Sequence, residues 1–257
     1  MRRTLFAATL LGIYTVVLGT IAVVTWPIVP TGWLIQKIAI LWSWLTLKAC
    51  GARLVVEGQE NIDPKATYVF TSNHCSTFDI LALLYLQPTW RFRFIAKKSL
   101  FRIPFFGWAM WLGGFIGIDR SNKKKAMETT QAALRRIQKG TSVVIYPEGT
   151  RSYDGKMLPF KTGGFLMAIR AGVPVIPVTM VNSHYLQPKR RFLCRPGTFR
   201  MIFDTPIPTK DLQERDRGML SAKVRDVIAS NLIAAGQMTP DDLQNVISQT
   251  ASHAAHG

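Results

Sequence analysis

The stretch that decides the fold runs Tyr68-Val-Phe-Thr-Ser-Asn-His-Cys-Ser-Thr-Phe-Asp79. Its first five residues have the composition of a buried β-strand, and the polar residues that follow indicate a tight loop. A helix capped by Ser76 or Thr77 is expected next, with Asp79 in its first turn. From there the carboxylate can fold back to His74, fixing the tautomer and leaving the other ring nitrogen free to accept a proton. Taken alone, this pair is equally compatible with a histidine that only completes a turn.

Short β-rich runs alternate with helical ones around this stretch. The predicted strands cover residues 53–57, 68–72, 92–96, 115–118, 142–146, 175–181 and 199–203. Helices are expected over residues 122–139, 163–171 and about 210–235, and the first two end at glycines. This alternation is typical of an α/β fold: a single domain with a largely buried mixed sheet flanked by helices.

The first fifty residues are apolar and precede the α/β pattern. Residues 4–26 carry no charge and are long enough to cross a bilayer, which takes about 20 residues. The run is too long for a signal peptide, and no small-residue cleavage site follows it. A second run, residues 32–49, is interrupted by Lys37 and Lys48, and its tryptophans suit a helix at headgroup level. We therefore expect residues 1–50 to form a membrane-anchoring helical hairpin; a single span is the alternative.

The rest of the chain divides into a domain and a tail. Residues 51–236 are expected to form one domain, because a chain of 257 residues can bury one good-sized core. Residues 237–257 are polar and small, and we expect one or two helical turns there and then disorder. Within the domain, residues 101–115 are unusually aromatic. This run is core, the wall of a slot for an apolar chain, or a surface that faces a membrane.

The charge balance points to anionic partners. The chain has 32 Lys and Arg against 15 Asp and Glu, a formal charge of +17, which suits nucleic acid, an anionic membrane or a phosphorylated substrate. The positive residues fall in separate patches that form no nucleic-acid motif, so no nucleic acid is expected as partner. The cysteines, Cys50, Cys75 and Cys194, are far apart and lack a metal-binding spacing. This favours reduced thiols, a cytosolic compartment and no zinc site.

Several charged residues lie just past predicted strand ends, and the carboxyl ends of strands in an open α/β sheet converge on one crevice. They are His74, Asp79, Arg120, Glu148 and Arg151. Gly149 lets the backbone approach a ligand closely. Arginine offers a planar, permanently charged fork for phosphate, and Lys161 near a helix start could add a second positive contact. Cys75 could act as a nucleophile beside His74, but adjacent side chains on an extended loop usually diverge.

Four segments that carry these residues resemble, in order and spacing, the sequence blocks of the glycerolipid acyltransferases with an H-x4-D motif. They are residues 73–79 (Asn-His-Cys-Ser-Thr-Phe-Asp), 114–120 (Gly-Phe-Ile-Gly-Ile-Asp-Arg), 146–151 (Tyr-Pro-Glu-Gly-Thr-Arg) and 173–178 (Val-Pro-Val-Ile-Pro-Val). The resemblance covers about residues 52–181 and is nearest to the bacterial 1-acyl-glycerol-3-phosphate acyltransferases. Tyr146 departs from the usual Phe, and Gly117 stands where a bulkier residue is common.

The resemblance implies transfer of a fatty acyl group from acyl-CoA or acyl-carrier protein to the free hydroxyl of lysophosphatidic acid, giving phosphatidic acid. His74 would be the general base and Asp79 would orient it. The acceptor's glycerol phosphate would be bound by Arg120, Glu148, Gly149, Thr150 and Arg151, with Lys161 as the further cation. No metal or other cofactor is expected, since the donor is a co-substrate whose thiolate leaves readily at a thiol pKa near ~8.5. Backbone N–H groups near the His74 loop are the expected oxyanion stabiliser.

The implied donors are cytosolic, so the domain is expected on the cytoplasmic face of the bacterial inner membrane, against its anionic lipids. Two alternatives remain open at this point. One is an acyltransferase that acts on another lysophospholipid or on an aminolipid. The other is a non-enzymatic, membrane-tethered basic protein that binds anionic lipid or nucleic acid, with strongly salt-dependent affinity and no use for His74.

Overall fold

The computed structural model describes residues 2–28, 33–86, 92–118, 123–189 and 193–255, and at 123–128 and 252–255 it describes the backbone only. Its strands are β1 (Ala52–Glu57), β2 (Val69–Ser72), β3 (Phe92–Lys97), β4 (Ile116–Ile118), β5 (Ser142–Ile145), β6 (Val175–Val181) and β7 (Gly197–Phe203). Each coincides with a strand predicted from the sequence to within two residues. They form one sheet in the order β1-β7-β6-β2-β5-β3-β4, parallel except for the β6–β7 pair. The predicted mixed sheet is therefore confirmed.

The helices cover both faces of this sheet. They are α1 (Arg2–Thr25), α2 (Trp33–Cys50), α3 (Phe78–Tyr85), α4 (Phe106–Leu112), α5 (Lys123–Gln138), α6 (Gly163–Ala171), α7 (Ser183–Leu186), α8 (Arg217–Ala234) and α9 (Pro240–Ala255). One face packs on α2 and α3 through a cluster around Phe70, Phe92 and Phe203. The other packs on α5, α6 and α8 through a cluster around Phe165 and Val224. Alternate residues of β2 and β5 point into opposite clusters, which is why these central strands read as continuous apolar runs.

The beginnings of two helices differ in detail from the sequence prediction. The hydroxyl of Ser76 accepts the N–H of Phe78 at 3.1 Å, whereas Thr77 is the cap residue but makes no capping bond with its side chain. The long helix expected from about residue 210 begins only at Arg217. A 3-10 turn over Glu214–Asp216 precedes this helix, and a capping box between Gln213 and Asp216 stabilises the start of the turn. The residues before Arg217 are therefore not α-helical.

The N-terminal helices form an antiparallel hairpin docked on the domain. The indole N–H of Trp42 in α2 donates to the hydroxyl of Thr15 in α1 at 3.0 Å. The start of α1 reaches the end of α2, where the hydroxyl of Thr4 accepts the N–H of Cys194 at 3.2 Å. Within the described ranges, α1 is the helix long and apolar enough to cross a membrane. Its outer face leaves large apolar side chains exposed, among them Phe6 and Val24.

Two expectations from the sequence are wrong. Cys50 and Cys194 lie side by side, with Cα atoms 5.7 Å apart, so the three cysteines are not all separate from one another in the fold. The parallel pairing of β1 with β7 brings these residues together across 144 positions of sequence, a proximity that cysteine spacing does not reveal. The polar tail is also more ordered than expected. It forms α9, because Val246 and Leu243 pack against the core cluster that contains α8.

Candidate active site

The loop that follows β2 is held by its neighbours from several sides. Asn73, fully buried, exchanges two hydrogen bonds with the backbone of Met180 in β6, at 2.7 and 3.0 Å. The hydroxyl of Ser76 donates to the carbonyl oxygen of Gln187 at 3.0 Å. On the other side, the N–H of Ser152 donates to the carbonyl oxygen of residue 74 at 2.8 Å. These bonds fix the loop before any ligand arrives, which is what a preorganised site requires.

His74 and Asp79 form the pair that the sequence predicts. Nδ1 of His74 lies 2.8 Å from Oδ2 of Asp79, and the carboxylate is fully buried. Because an ionised carboxylate only accepts hydrogen bonds, the ring proton resides on Nδ1 and Nε2 keeps its lone pair. The ring of Tyr146 stacks on the imidazole, with centroids 4.0 Å apart. The imidazole is therefore held in position and in the tautomer that can accept a proton.

The backbone N–H groups of residues 74–77 are all engaged by protein acceptors. That of His74 donates to Oε1 of Glu148 at 2.7 Å, and the next two donate to Oδ2 of Asp79 at 2.7 and 2.8 Å. The fourth donates to the side-chain oxygen of Gln187 at 3.0 Å. None of these four is left for an oxyanion. The expectation that backbone N–H groups near this loop stabilise the tetrahedral oxygen therefore stays a prediction, and it falls on N–H groups other than these four.

Glu148 lies behind the loop and is 4% exposed. Its second oxygen accepts the N–H of Leu158 at 3.1 Å, so the carboxylate joins two loops through their backbones. Burial raises the pKa of Glu148 well above its usual value, and the two backbone hydrogen bonds oppose that shift. The structure thus gives Glu148 a contact with the base-bearing loop, rather than a place among the residues that line the cavity described next.

A cavity of about 510 Å³ opens beside His74, within the range of about 300–1,000 Å³ usual for small-molecule sites. Its polar end is lined by His74, Thr77, Lys97, Gly149, Thr150, Arg151 and Lys189. Its apolar end lies between the N-terminal hairpin and the sheet, and is lined by residues such as Leu18, Trp42, Leu84, Met110 and Phe115. One end can therefore hold a charged group while the other holds an apolar chain.

The 146–151 loop brings several predicted residues to the polar end. Gly149 has φ +73°, which favours glycine, and the guanidinium of Arg151 donates to the hydroxyl of Thr77 at 2.9 Å. Thr150 is exposed and lines the same end. The ammonium of Lys161 lies beside Gly149, where an added Cβ would meet it at 3.3 Å, and its side chain is exposed outside the cavity. Arg120, also predicted here, lies outside the described residues.

The aromatic run over residues 101–115 is partly core, partly cavity wall and partly exposed surface. Phe106, Met110 and Phe115 line the cavity, and Met110 is also buried. Trp108 and Trp111 of α4 are 49% and 71% exposed. The same helix therefore contributes to the wall of the cavity and to an apolar outer surface.

Comparison with known proteins identifies the family. A family model described as Acyltransferase matches residues 53–181. The chain belongs to the Acyltransferase family. The fold is similar to the crystal structure of the 1-acyl-sn-glycerophosphate (LPA) acyltransferase PlsC from Thermotoga maritima, with a TM-score of 0.80 and 25% identity, covering 92% of this chain and 96% of that one.

Curated relatives of the chain are named 1-acyl-sn-glycerol-3-phosphate acyltransferases. The chain is 34% identical over 197 residues to a 1-acyl-sn-glycerol-3-phosphate acyltransferase of Chlamydomonas reinhardtii, covering 74% of this chain and 58% of the relative. It is 35% identical over 189 residues to the 1-acyl-sn-glycerol-3-phosphate acyltransferase of Saccharomyces cerevisiae, covering 72% and 62%. The chain thus spans between 44% and 62% of the length of the first curated relatives that it matches.

Cys75 is not placed as a nucleophile in this member of the family. Its thiol is fully buried and donates to the carbonyl oxygen of Gly155 at 3.5 Å, and neither residue lines the cavity. Burial raises the pKa of the thiol well above its usual value, and the charges of Asp79 and Glu148 raise it further. A thiol in that environment stays protonated and unreactive.

Sequence reasoning missed three residues of the site. Lys97 and Lys189 line the cavity, and Gln187 accepts a hydrogen bond from the His74 loop. Lys97 stands at the carboxyl end of β3, so the strand-end rule could have found it. Lys189 and Gln187 come from the connection between β6 and β7 and reach the 146–151 loop and the His74 loop through space. No local spacing in the sequence marks them.

Proposed function

We propose that this chain transfers a fatty acyl group from acyl-CoA or acyl-carrier protein to the free hydroxyl of 1-acyl-glycerol-3-phosphate, giving phosphatidic acid. The observation that carries the proposal is one cavity whose polar end is lined by cations and by His74, itself bonded to Asp79, and whose other end is apolar. The names of the family members in Chlamydomonas reinhardtii and Thermotoga maritima support the same acceptor.

In the proposed reaction, Nε2 of His74 takes the proton of the acceptor hydroxyl as its oxygen bonds to the thioester carbon. The carbonyl π electrons move to oxygen, giving a tetrahedral intermediate. When this collapses, the C–S bond breaks and the thiolate leaves, taking the proton from the imidazolium. The buried carboxylate of Asp79 stabilises the imidazolium between the two steps, since opposite charges attract strongly where water is excluded. No acyl-enzyme forms.

The binding roles follow from which residues line the cavity. Arg151, Thr150 and the backbone at Gly149 are proposed to hold the acceptor phosphate. Lys161, whose side chain lies outside the cavity beside Gly149, and Arg120, outside the described residues, are proposed as further cations that attract the acceptor. The apolar end is proposed to hold an acyl chain, since its wall is built almost entirely from aliphatic and aromatic side chains. Glu148 is proposed to act indirectly, by fixing the backbone of the loop that carries the base.

The proposed location is the cytoplasmic face of a bacterial inner membrane, with the N-terminal hairpin as anchor. Exposed apolar side chains on α1, α2 and α4 support contact with lipid, for example Phe6, Trp33 and Trp111. The formal charge of +17 favours an anionic lipid surface. An alkaline-phosphatase reporter fused after Gly51 should be inactive in cells, and strong periplasmic activity would contradict this orientation.

The proposed reaction is tested with purified full-length protein in lipid nanodiscs. Lysophosphatidic acid is offered beside lysophosphatidylcholine, and each is combined with oleoyl-CoA or with oleoyl-acyl-carrier protein. We expect phosphatidic acid from lysophosphatidic acid with at least one donor, and little product from the other acceptor. Turnover of lysophosphatidylcholine alone would establish a different lysophospholipid as the substrate, and no turnover with any pair would refute the proposal.

A further inference from the structure

Lys189 lies at the cationic end of the cavity although it belongs to none of the four sequence segments that carry the other site residues. Its ammonium donates to the hydroxyl of Thr150 at 3.1 Å and to the carbonyl oxygen of Arg151. The ring of Tyr153 lies under it, with the ammonium 3.9 Å from the ring centroid, a cation–π contact. Three contacts therefore hold this flexible side chain in one place against the 146–151 loop.

The charges at this end of the cavity are not balanced by ion pairs. Among the described residues, neither Lys189 nor Arg151 is paired with a carboxylate, and the hydrogen bonds they donate go to uncharged oxygens. The nearby carboxylates of Asp79 and Glu148 are buried and already accept hydrogen bonds from the His74 loop. Lys189 and Arg151 line this end together with Lys97, and several cations that line one cavity attract an anion and favour a doubly charged one over a singly charged one.

The donors of Lys189 leave room for such a ligand. A lysine ammonium has three N–H donors, and the two oxygens above engage two of them. The third donates to no described oxygen, and the side chain lines the cavity. Because the lysine is already fixed by Tyr153, little side-chain entropy is lost when it binds an anion.

We propose that Lys189 is a specificity-determining residue of the acceptor site, where with Arg151 it selects a phosphate monoester over a phosphate diester. A monoester carries close to two negative charges at neutral pH and presents three oxygens, enough for both cations. A diester carries one charge and two such oxygens. The inference rests on the proposed function and adds to it the residue that discriminates between acceptor headgroups.

The test compares kinetic constants for lysophosphatidic acid, a monoester, and lysophosphatidylglycerol, a diester, in wild type and Lys189→Met. We expect the KM for lysophosphatidic acid to rise about 10- to 100-fold, the effect of losing one charge-assisted hydrogen bond, with kcat changed less than about threefold. The KM for lysophosphatidylglycerol should change much less, so the preference for the monoester falls. Lys189→Arg should retain most of that preference, since it keeps the charge.

Two controls keep the outcomes distinct. Lys139→Met removes a lysine exposed beyond the end of α5 and should leave both KM values unchanged. Tyr153→Leu removes the cation–π contact and should weaken the preference in the same direction by a smaller factor. If Lys189→Met does not fold, as judged by circular dichroism, Lys189→Arg and Tyr153→Leu still test the proposal through the ratio of kcat/KM values.

Failure of this inference differs from failure of the proposed function. If wild type does not acylate lysophosphatidic acid, the proposed function fails. If wild type does so and folded Lys189→Met keeps the wild-type ratio of kcat/KM between the two acceptors, the role of Lys189 is refuted and the function stands. A higher KM for acyl-CoA, with the KM for both acceptors unchanged, would likewise overturn it by assigning Lys189 to the donor.

Discussion

Replacing Asp79 by Asn removes one charge while keeping the shape of the buried network. Oδ2 of Asp79 accepts hydrogen bonds from the ring of His74 and from the N–H groups of Cys75 and Ser76. An asparagine can place its carbonyl oxygen at that position and keep all three bonds. The amide NH2 then occupies the position of Oδ1, a buried atom without a hydrogen-bond partner among the described residues. The substitution therefore leaves new buried donors unsatisfied.

Two magnitudes follow from this arrangement. The unsatisfied amide should lower the free energy of unfolding by about 1–3 kcal/mol. The catalytic cost should be larger, because the imidazolium formed in the reaction loses its adjacent negative charge. Opposite charges about 4 Å apart attract with about 4 kcal/mol at an effective dielectric constant of about 20, which corresponds to a loss of kcat near 10³-fold. An Asp-to-Asn change in the Ser-His-Asp triad, which also leaves the imidazole in the wrong tautomer, lowers kcat by about 10⁴-fold and sets an upper value.

The assay follows thiol release from oleoyl-CoA with saturating lysophosphatidic acid, using protein in nanodiscs. Circular dichroism and thermal unfolding show whether Asp79→Asn is folded at the assay temperature. We expect a folded variant with kcat lowered between about 10³- and 10⁴-fold. A folded variant within tenfold of wild type would mean that the Asp79 charge does not stabilise an imidazolium, and the reasoning from geometry to mechanism would be wrong.

Two further predictions concern the carboxylates of Glu148 and Asp242. Glu148→Gln can satisfy only one of the two backbone N–H groups that Glu148 accepts, so thermal unfolding should show a loss of about 1–3 kcal/mol. Burial raises the pKa of Glu148 in the folded protein, so the protonated carboxyl favours folding. That contribution to stability is present below the ordinary pKa of 4.5 and is lost as pH rises, so the difference in stability between variant and wild type should shrink above that pH. A difference that grows with pH would contradict this sign. Lys156→Met should move the pKa of Asp242 up from about 2 towards 3.8 in an NMR titration, since the hydrogen bond from Lys156 is the main cause of the depression. The stability that Asp242 contributes above pH 3.8 is lost as pH falls towards 2, and an unchanged pKa in the variant would exclude Lys156 as its cause.

Most of the sheet could be predicted from the sequence, because buried parallel strands are short, continuous apolar runs bounded by turns. The His74–Asp79 geometry could also be predicted, since both residues belong to one strand–loop–helix unit in which Asp79 occupies the first helical turn. The placement of the 146–151 segment beside that loop followed from the rule that strand ends converge, and β5 is indeed the neighbour of β2.

Contacts that depend on strand order could not be predicted. Two contacts arise because β6 and β7 lie in the sheet beside strands that are distant in sequence. They are the contact of Cys50 with Cys194 and the hydrogen bond from Lys189 to Thr150. The sequence also did not show that the N–H groups of the His74 loop are hydrogen-bonded within the protein. One of their acceptors is Gln187, which lies in the connection between β6 and β7. By contrast, α9 had a local signal: Leu243 and Val246 are three residues apart on one helical face, within an otherwise polar composition.

The most direct test of the account is the turnover of His74→Ala with lysophosphatidic acid and the acyl donor that wild type uses. Acyl transfer depends on a proton acceptor at this position, so we expect phosphatidic acid formation to fall by at least about 10³-fold. Circular dichroism and flotation with liposomes should show a folded variant that still binds membranes, because the hairpin and the core do not involve this side chain. A folded, membrane-bound His74→Ala protein with turnover near that of wild type would contradict the central claim that His74 is the base.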